Sequence, residues 1–130
     1  MPPDDTLWKV LECTHDYNNS HYYGDTDEKL TWEGYDAIAQ TRDAQAYIRG
    51  HNSGSPFFLM LSWGPPHAPY RQVPQEFLDM YPPEEIELRP NAQGADRREI
   101  AGYYAHCTAI DRNVGLLMGT LDRLGLAENT

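Results

Sequence analysis

One long apolar stripe constrains the fold of this chain more than any other feature of its sequence. Between Asp96 and Leu124, apolar side chains recur at alternating spacings of three and four residues, which is the period of an amphipathic α-helix. The stripe consists of Ile100, Tyr103, Cys107, Ile110, Val114, Leu117, Leu121 and Leu124. It predicts a helix of about seven or eight turns, with Asp96 as N-cap, Glu99 at the capping-box position and Gly125 in a Schellman-type end.

Three further elements precede this helix and predict an α/β fold. Leu7–Cys13 alternates apolar and polar residues, which predicts a strand. Tyr35–Arg49 predicts a second helix that ends at Gly50. Its apolar face consists of Ala37, Thr41, Ala44 and Ile48. Phe57–Trp63 is a nearly continuous apolar run, typical of a strand that helices cover on both faces. In this order the elements predict a right-handed βαβ crossover.

The connections between these elements are polar or rich in proline. His15–Leu30 is rich in Tyr, Asn, Asp and His, and is predicted to be a long loop. Prolines exclude long regular structure between residues 65 and 90, although Pro74–Met80 suits a short helix with proline near its start. Two strands and two long helices leave sheet edges uncovered. The sequence therefore predicts that residues 1–130 form a single partial domain, whose strands belong to a larger sheet.

The charge of the chain excludes some partners. The formal net charge is −10 and the pI is about 4.7, so the basic footprint that a nucleic-acid binder needs is missing. Anionic membrane surfaces are discounted for the same reason, and no apolar run is long enough for a transmembrane helix. The N-terminus, Met-Pro-Pro-Asp-Asp, does not resemble a signal peptide, and the compartment stays open. Cys13 and Cys107 form no metal or redox pair and are predicted to be buried thiols.

The predicted strand Phe57–Trp63 leads directly into a turn that carries a histidine. The turn reads Gly-Pro-Pro-His-Ala-Pro and places His67 just beyond the carboxyl end of the strand, where open α/β sheets bind their ligands. A histidine held between prolines is rigidly placed and can donate to an anionic oxygen. His67 is therefore a candidate ligand-binding residue, and a loop histidine bonded only to backbone is the alternative.

Several of these segments resemble the sulfatase family, within the alkaline-phosphatase-like superfamily. Pro56-Phe-Phe-Leu, the apolar strand and Pro-His67-x-Pro are similar to a signature of that family. Gly34–Ile48 resembles the helix before this strand, and Arg98–Leu126 resembles the helix after it. The final Ala-Glu-Asn-Thr130 resembles the residues that precede the family's Thr/Ser-Asp-His-Gly strand end. The resemblance covers nearly the whole chain, with its elements in the family's order.

The resemblance implies a sulfuric ester hydrolase that uses calcium and formylglycine. In that family a formylglycine, made from Cys or Ser in a Cys/Ser-x-Pro/Ala-x-Arg motif, attacks the sulfur as a hydrated aldehyde. A calcium ion clamps the sulfate, and basic side chains neutralise its oxygens. His67 matches the family histidine that bonds a sulfate oxygen or assists the leaving group. It is thus the predicted catalytic and substrate-binding residue, and the partner in the complete enzyme is a sulfated small molecule or glycan.

The nucleophile and the calcium ligands have no counterpart in the sequence. Cys13 lies in Cys-Thr-His-Asp-Tyr, and Cys107 lies in Cys-Thr-Ala-Ile-Asp, with Asp111 where the modification motif has Arg. We expect the first calcium ligands upstream of Met1, and the remaining ligands with a C-terminal subdomain downstream of Thr130. The prediction is that this chain supplies no metal ligand and no formylglycine, and has no turnover alone.

Two further polar segments contain side chains of the types that bind metals or ligands. Asp25-Thr-Asp-Glu-Lys29 resembles the start of a calcium loop, but Lys29 and Leu30 stand where an EF-hand needs a ligand and a glycine, so no metal site is predicted there. His15–Tyr23 concentrates hydrogen-bonding and aromatic groups. His15 is therefore a second, weaker candidate for substrate binding, against a solvated or structurally packed loop.

Two alternatives to a sulfatase stay open at this point. A phosphodiesterase or phosphonate hydrolase of the same superfamily shares this architecture and differs in its nucleophile. A truncated, non-catalytic binding module is the other alternative, and it would self-associate through its uncovered sheet edge and helix stripe.

Overall fold

The described part of the computed structural model, residues 7–11, 14–51 and 55–130, consists of helices, one β-hairpin and irregular connections. The α-helices are α1 (Asp36–Gly50), α2 (Gln75–Leu78) and α3 (Arg97–Arg123). The hairpin pairs β1 (His21–Tyr22) with β2 (Leu30–Thr31) in antiparallel fashion. Short 3₁₀ turns occupy Pro83–Glu85, Pro90–Ala92 and Ala127–Asn129.

Helix α1 confirms the prediction for residues 35–49. The four residues of its predicted apolar face, Ala37, Thr41, Ala44 and Ile48, are all buried, and the helix ends at Gly50. Thr41 is buried because its hydroxyl donates to the Ala37 carbonyl oxygen one turn earlier, at 2.7 Å. A polar residue on the packed face therefore leaves no unsatisfied group.

Helix α3 has the ends that the sequence predicts. The Asp96 carboxylate accepts a hydrogen bond from the Arg98 amide at 2.8 Å, as an N-cap does. Gly125 has φ +68°, and the Leu126 amide donates to the Leu121 carbonyl at 2.9 Å, which is the 6→1 bond of a Schellman motif. The Glu99 side chain does not complete a capping box and pairs with Arg71 at 3.0 Å instead. Within the described ranges, no helix is long and apolar enough to cross a membrane.

The buried face of α3 is not the apolar stripe that the sequence emphasises. The buried residues of this helix are Ala101, Gly102, Ala105, His106, Ala109, Asn113, Thr120 and Leu121. Of the predicted stripe only Leu121 is among them, whereas Tyr103, Val114 and Leu124 are each more than 40% exposed. Cys107, predicted to be a core thiol, is only partly buried. The predicted stripe and the buried face of α3 therefore coincide only at Leu121.

Small side chains explain why α3 buries the other face. Ala37 and Ala44 of α1 and Ala105 and Ala109 of α3 are almost completely buried, and small residues let two helices approach closely. Polar groups in this contact are paired, since the Gln45 amide donates to the Thr120 hydroxyl at 2.9 Å. The spacing of large apolar residues in the sequence does not reveal a buried helix face that is made of small side chains.

The predicted short helix at 74–80 is confirmed as α2, with Pro74 as its N-cap. α2 packs against α3 and buries Phe77. The core is one cluster that joins α1, α2 and α3 to the connections between them. Its fully buried members are Tyr17, Tyr35, Ala37, Val73, Phe77, Ala105 and Ala109.

The β-structure differs from the prediction in position and direction. The hairpin lies inside and at the end of His15–Leu30, which was predicted to be a loop, and its register pairs His21 with Thr31 and Tyr22 with Leu30. Of the predicted strand Leu7–Cys13, only Val10 forms a β-bridge, to Tyr23, and residues 12 and 13 lie outside the described residues. The hairpin precedes α1, so the predicted βαβ crossover is absent from the described residues.

The predicted strand Phe57–Trp63 pairs with no strand in the described part of the chain. Its burial nevertheless alternates with a period of two: residues 57, 59, 61 and 63 are partly buried, and residues 58, 60 and 62 are exposed. That alternation is the pattern of an extended segment with one face on a core. Among the described residues this segment has no neighbouring strand, so the predicted sheet-centre position of Phe57–Trp63 is not observed there.

A close backbone approach fixes how α3 meets the loop after His67. A Cβ atom added at Gly102 would collide with the Tyr70 carbonyl group, whereas one added at Gly115 would meet nothing within 4 Å. Both glycines lie inside the same helix, so they form a matched pair that differs in the space around the missing side chain.

We predict that Gly102→Ala lowers the free energy of unfolding by about 1–3 kcal/mol, because the backbone must move to relieve the collision. Gly115→Ala should raise that free energy by up to about 1 kcal/mol, because alanine favours the helix. Urea denaturation of both variants measures the difference. Equal stabilisation by the two substitutions would contradict the close contact.

Candidate functional site

The site begins with the turn that carries His67. The His67 amide donates to the Gly64 carbonyl at 3.2 Å, which closes the turn. The His67 Nδ1 atom lies 2.7 Å from the Ala68 carbonyl oxygen. A carbonyl oxygen only accepts, so Nδ1 carries a hydrogen, and Nε2 is left free to accept a proton or, when protonated, to donate. His67 is exposed and Nε2 makes no hydrogen bond to a described residue.

The second predicted residue, His15, lies beside the first. The ring centroids of His15 and His67 are 4.7 Å apart, and the rings are tilted by 31°. The two residues are 52 positions apart in the sequence, so the fold alone brings them together. Both side chains are exposed. The predicted site residues therefore form one imidazole pair at the surface.

The segment that carries His15 is tied to the segment that carries His67. The Tyr17 hydroxyl donates to the Ala68 carbonyl at 3.1 Å. The Tyr17 amide donates to the Gln72 Oε1 atom at 2.5 Å, and the Asn18 side-chain amide donates to the Gln72 carbonyl at 2.7 Å. In all three bonds the donor belongs to the segment that carries His15 and the acceptor to the segment that carries His67. These hydrogen bonds therefore hold together the two loops that carry His15 and His67.

A buried histidine contacts the same turn from the side of the core. His106 is completely buried in α3, and its Nε2 atom lies 3.4 Å from the Pro69 carbonyl. Its Nδ1 atom lies 2.6 Å from the Tyr35 hydroxyl. The carbonyl requires a hydrogen on Nε2, and burial lowers the pKa of His106, so the ring is neutral and the Tyr35 hydroxyl donates to Nδ1. This relay links α1, α3 and the loop after His67.

A buried carboxyl group adds an electrostatic constraint next to these tyrosines. Asp36 is completely buried, and neither carboxyl oxygen has a hydrogen-bond partner among the described residues. Burial raises the pKa of Asp36 to about 6, although the polar groups of Ser20 and Ala37 oppose this shift. Burial and the nearby Asp36 also raise the pKa of both Tyr17 and Tyr35. Both phenols therefore stay protonated and able to donate.

The other sequence candidates do not join the site. Cys107 is a free cysteine on α3, and Cys13 lies outside the described residues. Asp25 and Asp27 lie in an open groove of about 580 Å³ beside the hairpin. Within residues 7–11, 14–51 and 55–130, no three His, Cys, Asp or Glu side chains come together as a metal site would require. The described residues thus do not fit the calcium ion that the resemblance implies.

The sequence named His67 and His15 as candidate site residues, but it did not point to the residues that hold them in place. Tyr17 lies in the polar segment that was singled out only for its composition. His106 sits beside Ala101, Ala105 and Ala109 on the small-residue face of α3. A histidine on a face of alanines is the signal that was available, because a polar side chain there must find a partner.

Solved structures reproduce this architecture. A protein from Bacteroides thetaiotaomicron, described in connection with the metabolism of multiple glycosaminoglycans, matches with a TM-score of 0.81 at 23% identity, over 92% of this chain and 27% of that one. A structure from Bacteroides fragilis matches with a TM-score of 0.78 at 30% identity, over 90% of this chain and 29% of that one. The predicted class, an α/β fragment of the sulfatase architecture, is confirmed.

Sequence comparison identifies the family. The family model described as Sulfatase matches residues 5–130, and the chain therefore belongs to the sulfatase family. An ulvan-active sulfatase from Formosa agariphila is 43% identical in an alignment of 129 residues that covers 95% of this chain and 25% of that protein. An endo-4-O-sulfatase from Bacteroides thetaiotaomicron is 27% identical over 92% of this chain and 28% of that protein. The chain thus spans about a quarter of the length of these relatives.

We predict that the chain becomes less stable as pH rises from about 4 to 7. The folded state holds the Asp36 proton up to about pH 6, whereas an unfolded aspartate releases it near its ordinary value of 3.8. The folded state therefore binds more protons in this interval, and stability falls with pH. The full effect is about 3 kcal/mol.

Asp36→Asn should remove this fall and raise stability at pH 8, as measured by urea denaturation at several pH values. Asp111→Asn, on the exposed side of α3, is the matched control and should leave the pH dependence unchanged. An Asp36→Asn chain whose stability changes with pH between 4 and 7 as that of the wild type does would refute the assignment.

Proposed function

We propose that this chain carries the histidine that contacts the sulfate group when a sulfatase hydrolyses a sulfate monoester. The geometry of His67 supports the proposal. The Ala68 carbonyl holds Nδ1 at 2.7 Å, so Nε2 faces away from its own backbone. When protonated, Nε2 donates to a sulfate oxygen or to the oxygen of the leaving group, and it thereby neutralises charge that develops in the transition state.

His15 provides a second imidazole for the same anion. Its ring lies 4.7 Å from that of His67, and both rings are exposed. A tetrahedral sulfate presents oxygens in several directions, so two adjacent donors can bind one group together. We assign His67 to the reacting oxygen and His15 to substrate binding.

The names of two relatives support a proposal for the substrate class. They are an ulvan-active sulfatase and an endo-4-O-sulfatase. We extend this to a sulfated glycan as the substrate of the protein to which this chain belongs.

The catalytic groups that the described residues lack are assigned to other parts of a complete sulfatase. In this proposal residues 1–130 form a partial domain, and the formylglycine nucleophile and calcium ligands come from outside it. A calcium ion there would act as a Lewis acid on the sulfate. The chain alone then binds an anion weakly and has no turnover.

The test uses a chimera in which this chain replaces the matching 129 residues of the Formosa agariphila sulfatase. We expect the chimera to hydrolyse an aryl sulfate, and His67→Gln to lower kcat by about 100-fold or more, because a proton donor is lost. His51→Gln is the matched control, since the His51 ring packs on Tyr47 and Phe57 instead.

A folded His67→Gln chimera that keeps the full rate would refute the role of His67. Circular dichroism of each variant separates loss of activity from loss of fold.

Self-association is a second candidate, because one extended segment exposes apolar side chains. Phe58 is 85% exposed and Met60 is 76% exposed, in a segment without β-partners among the described residues. An unpaired strand is a template for pairing with another chain. We propose that two copies pair through Phe57–Trp63 when no other strand covers it.

We predict that the sedimentation coefficient of the chain rises with its concentration. Replacing Phe58 and Met60 together by Ser should abolish the rise, because the apolar face of the segment is lost. Met80→Ser, which alters another exposed methionine, should leave the rise unchanged. A wild-type chain that sediments as a monomer at every concentration would exclude this candidate.

A further inference from the structure

The direction of the His67 ring depends on one backbone carbonyl. Nδ1 of His67 lies 2.7 Å from the Ala68 oxygen, and the ring makes no other hydrogen bond to a described residue. The position of Nε2, the atom that would meet an anion, is therefore set by where the Ala68 carbonyl points. Any residue that fixes this carbonyl fixes the direction of Nε2.

Tyr17 contacts both ends of the turn that contains this carbonyl. Its hydroxyl donates to the Ala68 oxygen at 3.1 Å, so the same carbonyl accepts from Tyr17 and from His67. At the other end, a Cβ added at Gly64 would lie 2.8 Å from Tyr17 Cε1. The ring of Tyr17 thus occupies the space that a side chain at Gly64 would need, and the turn closes over it.

Tyr17 is itself held rigidly. Only 1% of its surface is exposed, and its ring packs edge-on against His106 at 5.6 Å. Its amide is bonded to Gln72, and the Asp36 amide donates to its carbonyl at 2.9 Å. A fixed donor of this kind restrains its acceptor. Tyr17 is also two residues from His15, so one anchor serves both imidazoles.

We propose that Tyr17 is a positioning residue that sets the direction of the His67 imidazole and its spacing from His15. This inference rests on the proposed role of His67 as the group that contacts sulfate. Tyr17 does not touch the anion. It acts through the Ala68 carbonyl and through the shared segment His15–Tyr17, and its buried ring keeps the two loops in contact.

The test is the Tyr17→Phe variant of the whole chain, labelled with ¹⁵N in histidine. The variant keeps the buried ring and removes only the hydroxyl. We expect the ratio of Nδ1–H to Nε2–H tautomers of His67 to fall by up to about tenfold, because the Ala68 carbonyl that accepts from Nδ1 is no longer fixed by the Tyr17 hydroxyl. The affinity of the His15 and His67 signals for added inorganic sulfate should fall with it.

Tyr81→Phe is the matched control. The Tyr81 hydroxyl is also paired inside the fold, with the Thr108 hydroxyl at 2.6 Å, and the bond does not involve the His67 turn. The control should lose stability in thermal unfolding while the His67 tautomer ratio stays at the wild-type value. A merely structural loss therefore does not reproduce the signature expected for Tyr17.

The outcomes are separable. A folded Tyr17→Phe variant with the wild-type His67 tautomer ratio overturns the positioning role. If wild-type His67 shows no response to sulfate but its tautomer ratio depends on Tyr17, the proposed function fails and the positioning geometry holds. If Tyr17→Phe does not fold, the wild-type spectrum decides: a slowly exchanging Tyr17 hydroxyl proton with a cross-peak to Ala68 supports the inference, and its absence overturns it.

Discussion

The hydrogen bond from the Tyr35 hydroxyl to His106 joins α1 to α3, and the rest of the structure depends on this junction. Tyr35 caps α1, His106 lies in the middle of the buried face of α3, and the other nitrogen of His106 reaches the Pro69 carbonyl. All three groups lie in or against the core, where an unpaired donor or acceptor costs about 1–3 kcal/mol. The two helices and the loop must therefore meet in one arrangement, because any other leaves a buried polar group unsatisfied.

That arrangement explains why the core is built from small and polar side chains. Alanines bring α1 and α3 close together, and at that separation Gln45, Thr120 and Asn113 find partners on the helices themselves. Asp36 differs from these residues, because its carboxyl group, like the hydroxyl of Ser20, is buried without a partner among the described residues. At low pH the Asp36 carboxyl group keeps its proton, because a neutral carboxyl group tolerates burial better than a carboxylate.

The sequence predicted the helices and their caps well because those signals are local. Asp96 and Gly125 act within a few residues of where they stand, and the same is true of Pro74 at the start of α2. The imidazole of His67 was also predictable, from a turn that prolines define. The pairing of His15 with His67 was not, because it depends on contacts between segments that are far apart in the chain.

The buried face of α3 was missed because burial there follows the fit between small residues, whereas the sequence pattern is dominated by large ones. Strand pairing failed for a related reason: Phe57–Trp63 has the composition of a central strand, but its neighbours are not among the described residues.

The prolines that deliver His67 have another consequence for the extended segment before it. Pro56 stands at one end of Phe57–Trp63, and Pro65 and Pro66 stand just beyond the other. Proline has no amide hydrogen and so ends a β-ladder. Residues of this kind at the borders of an apolar strand act as gatekeepers against aggregation. A ladder templated on this segment is therefore limited to about seven residues, and strand pairing ends before it reaches the turn that carries His67.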